Sequence, residues 1–151
     1  MSLACAADLV VAAESAKFTM AYTRAGLVPD GSSSYFLSRI VGLRRALELT
    51  LTNRVLSAAE ALALGIVTRV APDAELRPQA EALASELAEG ATHSLGLAKR
   101  LLHQGWNNTL ESQMELESRA IADAARTPNA REGILAFVEK RRPNFRIPPP
   151  F

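Results

Sequence analysis

The sequence predicts an α/β fold in which short strands near the start give way to long helices, and three observations carry that expectation. Short apolar runs rich in β-branched residues occupy the opening stretch. A segment of breakers and small residues, Gly26 to Ser34, interrupts them. Beyond Pro72, apolar residues recur at 3.6-residue spacing over long stretches with few strand signals. These place boundaries at 1–72 for a mixed strand and helix core, 73–146 for a helical region and 147–151 for a tail.

Leu9-Val10-Val11-Ala12 is apolar throughout, as in a strand buried on both faces, and Lys17-Phe18-Thr19-Met20 alternates more loosely after the polar turn Glu14-Ser15-Ala16. The loop Gly26-Leu27-Val28-Pro29-Asp30-Gly31-Ser32-Ser33-Ser34 leads into a helix over Tyr35 to Val41, and a second helix covers Leu43 to Leu51. Ser57-Ala58-Ala59-Glu60 has the capping-box pattern, in which a Ser hydroxyl and a Glu three residues on satisfy each other's backbone N–H groups; the helix it starts stops at Gly65. Ile66 to Val70 reads as a strand, and Asp73 after Pro72 as the N-cap of the first long helix. Leu95, Ala98, Leu101 and Leu102 form one apolar stripe; Leu110, Met114, Ile121 and Ala125 form another, which predicts a helix packed on that face. Thr127-Pro128 is an N-cap and first-turn pair for the last helix, and Lys140, Arg141 and Arg142 stand where its dipole favours cations. The end, Ile147 to Phe151 with three consecutive prolines, predicts an extended tail. Three short strands make a poor sheet by themselves, so partner strands are expected from elsewhere.

A net charge of +1 from 17 basic and 16 acidic residues spread along the chain offers no footprint for a nucleic-acid backbone or an anionic membrane. A small, mostly uncharged partner is the better match. Cys5, the single cysteine, excludes an internal disulfide framework and suits a reducing cytosol as a small core residue. The longest apolar stretch near the start, Leu9 to Ala13, falls far short of the roughly 20 residues of a membrane helix, and no basic region precedes it, so a cytoplasmic protein is expected.

Taken in order, Ala7-Asp8-Leu9-Val10-Val11-Ala12, Ser15-Ala16-Lys17-Phe18, Gly26-Leu27-Val28-Pro29-Asp30-Gly31, Val41-Gly42-Leu43-Arg44-Arg45-Ala46 and Leu56-Ser57-Ala58-Ala59-Glu60-Ala61 resemble the crotonase (enoyl-CoA hydratase/isomerase) family. Ala63-Leu64-Gly65-Ile66-Val67 and Arg131-Glu132-Gly133-Ile134-Leu135-Ala136-Phe137 continue the likeness, so it covers nearly the whole chain. It implies the carboxy-terminal part of a spiral of ββα units followed by a helical region that builds homotrimers or dimers of trimers. It also implies an acyl-CoA thioester as substrate, with no separate cofactor, no metal, no nucleic acid and no membrane.

Such enzymes aim two backbone N–H groups at the thioester oxygen to stabilise an enolate, and one lost donor of this kind costs roughly 10²–10³ in rate. The resemblance places both donors upstream of Met1. The expectation is therefore a chain cut within the catalytic region and inactive alone, prone to association through uncovered apolar edges.

Hydratases of the family use two Glu residues on a water molecule; the matching positions here are Ser2 and Tyr22. Neither is a carboxylate, which disfavours simple hydration. Asp30 is the remaining candidate, with Tyr22 beside it as the second catalytic residue. The stretches Met20-Ala21-Tyr22 and Val28-Pro29-Asp30 resemble the epoxyphenylacetyl-CoA isomerase branch, where an Asp shuttles a proton between carbons. Ser33-Ser34-Tyr35 through Gly42 and Leu51-Thr52-Asn53-Arg54 also resemble the chlorobenzoyl-CoA dehalogenases, where an Asp attacks an aromatic ring and an aromatic in place of Tyr22 packs on it. The plain alternative for Asp30 is a helix N-cap accepting from the N–H of Ser32 or Ser33, and the roles can coexist. A noncatalytic packing or oligomerising chain is the reading from a different class.

Gly26, Phe137 and Lys140 resemble substrate-binding positions, the last two near the CoA adenine and phosphates. Against that, Phe137 fits an apolar stripe as core and Lys140 a solvated helix end. His93 and His103 read as surface or cap residues without an acidic partner at metal-ligand spacing, Trp106 as a packing anchor, and Glu111, Glu115 and Glu117 as a solvated face.

Overall fold

A computed structural model describes residues 1–146; the expected tail over 147–151 lies outside the described residues. The chain forms two compact units, Met1–Glu81 and the residues from Ala82 onward. The division falls inside a helix, α5 (Leu76–Glu89).

In the first unit, α1 (Ser2–Ala6) turns Ser2 and Cys5, three residues apart, into the interior and Leu3 to solvent. This short helix was not anticipated from the sequence, because five residues carry no readable periodicity. Strand β1 (Val11–Ala13) pairs in parallel with β4 (Arg69–Ala71), Val11 opposite Arg69 and Ala13 opposite Ala71. Strand β2 (Lys17–Phe18) pairs antiparallel with β3 (Leu56–Ser57). Between β2 and β3 run α2 (Ser33–Val41) and α3 (Leu43–Thr52), and α4 (Ala58–Ala63) lies between β3 and β4. Met20, Leu37, Leu49, Leu56 and Val67 are fully buried and, with Cys5, Ala12, Ala46, Ala61 and Ile66, form the core onto which all these elements fold.

Local chemistry explains the boundaries. The capping box is present in full: the Ser57 hydroxyl accepts from the Glu60 N–H, and the Glu60 carboxylate accepts from the Ser57 N–H at 2.8 Å. Glu60 also meets Arg54, which reaches Glu48 on α3, so one guanidinium ties α3 to the start of α4. The Ser57 N–H, the Ser57 hydroxyl and Arg54, in that order, hold the Glu60 carboxyl down at about 2. Asp73, expected as an N-cap, instead lies inside a 3₁₀ turn (Asp73–Glu75) whose N-cap is Pro72. Its carboxylate is drawn to the N–H and hydroxyl of Ser15 in the β1–β2 turn.

Helix α5 (Leu76–Glu89) leads from the first unit into the second, which contains α6 (Thr92–Gly105), α7 (Leu110–Ala125) and α8 (Pro128–Val138). Thr109 and Thr127 cap α7 and α8 through their hydroxyls, with Pro128 in the first turn of α8. The apolar stripe of α7 forms one face, but Leu110, Met114 and Ile121 stand 59–71% exposed; the half-buried face is Gln113, Leu116, Ala120 and Ala124. Periodicity says which residues share a face, whereas the neighbouring helix decides which face is covered, and here α6 takes the side of Gln113, whose amide donates to the Leu101 carbonyl. The acidic face of α7, Glu111, Glu115 and Glu117, is exposed, with Glu115 paired to Arg119.

Beyond α8 the chain turns back. Arg141 grips Glu132 through two nitrogens, and the Asn144 N–H reaches the same carboxylate, which these contacts hold at about 2. Arg142 and Arg146 pair with Glu89. The cations expected on the helix dipole thus lie past the last turn, where Arg141 and Arg142 serve ion pairs. No helix among the described residues is long and apolar enough to cross a membrane.

Candidate active site

The candidate carboxylate is placed by the loop between β2 and α2. Tyr22 opens a 3₁₀ turn over Thr23–Ala25 that ends at Gly26 with φ 71°, a left-handed backbone suited to glycine; the Leu27 N–H closes the turn on the Tyr22 carbonyl. Asn53, in the left-handed cap position after α3, fastens it from outside. Its amide donates to the Thr23 hydroxyl and its oxygen accepts the Arg24 N–H, while Thr23 donates to the Thr50 carbonyl. Asn in that backbone conformation is a recognised helix-terminating choice, so Asn53 was legible as a cap from its place after Thr52, though not as the clamp of this loop.

The loop returns through Pro29 to Asp30, then passes two successive left-handed residues, Gly31 and Ser32, before α2 begins. The Asp30 carbonyl, not its carboxylate, accepts the Ser33 N–H at 3.1 Å and the Ser33 hydroxyl at 2.7 Å. The side-chain N-cap expected for Asp30 is therefore absent, because the backbone oxygen already satisfies the buried Ser33. The carboxylate is released toward Tyr22, whose hydroxyl donates to Asp30 Oδ1 at 2.5 Å. Ser2 Oγ lies 2.9 Å from the same hydroxyl. The two positions that resemble a hydratase's paired carboxylates thus converge on one another and on Asp30, which is exposed and open to a ligand. Sequence reasoning singled out all three residues, but Ser2 only as a missing carboxylate.

This arrangement is a carboxylate with one oxygen anchored and the other open to exchange a proton or attack an electrophile. Among the described residues no group of three or more His, Cys, Asp or Glu could hold a metal ion. Gly26 lies in the same loop, where an added β-carbon would meet nothing within 4 Å. Phe137 and Lys140 belong to the second unit. Phe137 is 86% exposed, which overturns its assignment to the core: α8 buries the small Ala136 and brings Gly133 near the Phe145 ring, leaving the large ring on the far side. Lys140 sits just beyond α8 with φ 55°. His93 does have an acidic neighbour, Asp123, at 3.3 Å across α6 and α7, and His103 packs edge-on to Trp106, which is itself 44% exposed. A separate depression of about 230 Å³ lies over Arg45, Leu49, Arg54 and Leu64, but its two carboxylates, Glu48 and Glu60, already pair with Arg54.

Comparison with known proteins matches the chain, in sequence and in fold, to a family. The 1,2-epoxyphenylacetyl-CoA isomerase of Escherichia coli K12 is 40% identical over 144 residues, covering 95% of this chain and 55% of that protein. The 4-chlorobenzoyl coenzyme A dehalogenase-1 of an Arthrobacter species is 41% identical over 140 residues, 93% of this chain and 50% of the other. The crystal structure of an enoyl-CoA hydratase/isomerase from Cupriavidus metallidurans CH34 superposes with a TM-score of 0.90 at 38% identity, covering 99% of this chain and 57% of that one. The chain spans about half the length of the curated relatives it matches. With the sequence pattern of the enoyl-CoA hydratase/isomerase family matching residues 1–147, the chain belongs to that family.

Proposed function

We propose that this chain supplies the carboxylate side of an acyl-CoA isomerase site, with Asp30 as the proton carrier. The carrying observation is the Tyr22 hydroxyl held 2.5 Å from Asp30 Oδ1, which fixes the carboxylate's orientation and leaves Oδ2 to work. In the reaction Asp30 takes a proton from one carbon of the acyl group. The electron pair moves onto the thioester oxygen as an enolate, and the same proton returns to another carbon, so the product is an isomer of the substrate and the carboxylate is restored. Hydration has no support from the side chains here, since neither Ser2 nor Tyr22 is a carboxylate. Likeness to an isomerase and to a dehalogenase, each at about 40% identity, supports a CoA thioester as the substrate class.

The enolate needs paired backbone donors, which the family resemblance puts outside these residues. The chain alone is accordingly expected not to turn over acyl-CoA. The exposed apolar residues of α7 and α8, Leu110, Met114, Ile121 and Phe137 among them, support packing against further copies, a trimer by resemblance. A cytoplasmic setting fits the single buried cysteine.

The test is a chimera that joins these residues to the part of the Escherichia coli isomerase they do not cover. Isomerisation of an enoyl-CoA should be measurable and should fall by roughly 10²–10⁴ in Asp30→Ala. A folded, acyl-CoA-binding chimera that isomerises equally well without Asp30 refutes the proposal. Chloride release from 4-chlorobenzoyl-CoA, with no isomerisation, would make Asp30 a nucleophile instead.

A further inference from the structure

We infer that Ser2 is a positioning residue for Asp30, acting through Tyr22; this rests on the isomerase reading, in which Asp30 carries the proton. The direction of the hydrogen-bond chain follows from counting hydrogens. The Tyr22 hydroxyl donates to Asp30 Oδ1, so the hydrogen in that contact belongs to Tyr22. Tyr22 has one O–H, already used, so in the 2.9 Å contact with Ser2 it can only accept. The order is therefore Ser2 O–H to Tyr22 oxygen, and Tyr22 O–H to Asp30 Oδ1. Donation to the phenol oxygen strengthens the bond the phenol makes onward, and it removes the freedom of the ring to swing its hydroxyl away.

Two further observations show that Ser2 is built into this role. It is buried, on the inward face of α1 beside Cys5, so its hydroxyl has little water to fall back on. It also touches the loop a second time: a β-carbon on Gly31 would lie 3.2 Å from Ser2 Cβ, so the residue following Asp30 rests directly against it. Ser2 thus sets both the reach of Tyr22 and the seat of the Asp30–Gly31 peptide. A larger side chain would push the loop out; a smaller one without a hydroxyl would leave Tyr22 unanchored.

The hydrogen bond is read in the 151-residue chain carrying tyrosine labelled with ¹³C at Cζ, which gives two resonances, Tyr22 and Tyr35, assigned with Tyr22→Phe. Ser2→Ala should move the Tyr22 resonance and leave Tyr35 in place. An unmoved Tyr22 resonance overturns the inference. Catalytic consequence is read in the chimera as a four-protein cycle. Ser2→Ala should lower kcat by roughly tenfold to a hundredfold with KM nearly unchanged, the scale of a misplaced catalytic group, and should have no further effect in Tyr22→Phe. Equal losses in both backgrounds overturn it as well. Should Ser2→Ala fail to fold, Ser2→Cys, close in size and a weaker donor, takes its place with the same expectations. Retained isomerisation in Asp30→Ala, by contrast, sinks the isomerase reading and is distinguishable from either Ser2 outcome.

Discussion

Gly26 and Gly31 both hold left-handed backbone in the loop that presents Asp30, with φ 71° and 58°, yet they differ in what surrounds them. Replacing either with alanine incurs the left-handed backbone penalty of about 1–2 kcal/mol. At Gly26 the new methyl meets nothing within 4 Å, so the penalty ends there. At Gly31 it arrives 3.2 Å from Ser2 Cβ, a backbone-anchored atom on the buried face of α1 that cannot rotate aside. Overpacking of this kind adds roughly 1–3 kcal/mol. With a urea m-value of about 1–2 kcal/mol per molar, the unfolding midpoint should fall by about 1 M in Gly26→Ala and by about twice that in Gly31→Ala. Both tyrosines lie in the first unit, so tyrosine emission follows its unfolding. Gly31→Ala should also move the Tyr22 Cζ resonance, since displacing Ser2 stretches its bond to the phenol, whereas Gly26→Ala should not. Equal midpoints for the two variants, or a larger loss at Gly26, would refute the reasoning that the Gly31–Ser2 contact is tight.

The α3–α4 corner makes a pH prediction. Glu60 is held at about 2, below its ordinary 4.5, so its contribution to stability is complete above about 4.5 and is lost as pH falls from there toward 2. Glu60→Gln should flatten the stability profile across that window, followed by circular dichroism in urea at each pH; an unchanged acid limb would count against the capping-box geometry. Ser57→Ala should cost about 1 kcal/mol at neutral pH through the lost cap. Leu37→Ala, at a fully buried site, should cost about 2–5 kcal/mol, while Phe137→Ala in the monomer should stay within about 0.5 kcal/mol; comparable losses would show that Phe137 is covered after all.

The fold class and most helix positions were readable because they depend on local chemistry. A Ser-x-x-Glu cap, a Thr-Pro start and a Gly stop act over three or four residues, and the capping box of Ser57 and Glu60 and the Thr127 cap stand where the pattern puts them. Strand ends were less legible: β3 is two residues long, and the run Ile66 to Val70 contributes a strand only from Arg69, since its buried apolar residues Ile66 and Val67 belong to the turn after α4. Packing side was not legible at all for α7 and α8, as the exposed Ile121 and Phe137 show.

By itself the amino-acid order determined which side chains are available for chemistry: the carboxylate of Asp30 in a Gly- and Ser-rich loop, a tyrosine eight residues before it, and, by family resemblance only, a serine at a position expected to match a hydratase's carboxylate. Only the tertiary structure decided that these three form one hydrogen-bonded line, with Asp30 turned to Tyr22 instead of capping its own helix. The reason is range. Capping and turn preferences are settled among near neighbours, whereas a bond between Ser2 and Tyr22 requires α1 and the loop before α2 to pack on a common core, which no short stretch of sequence encodes alone.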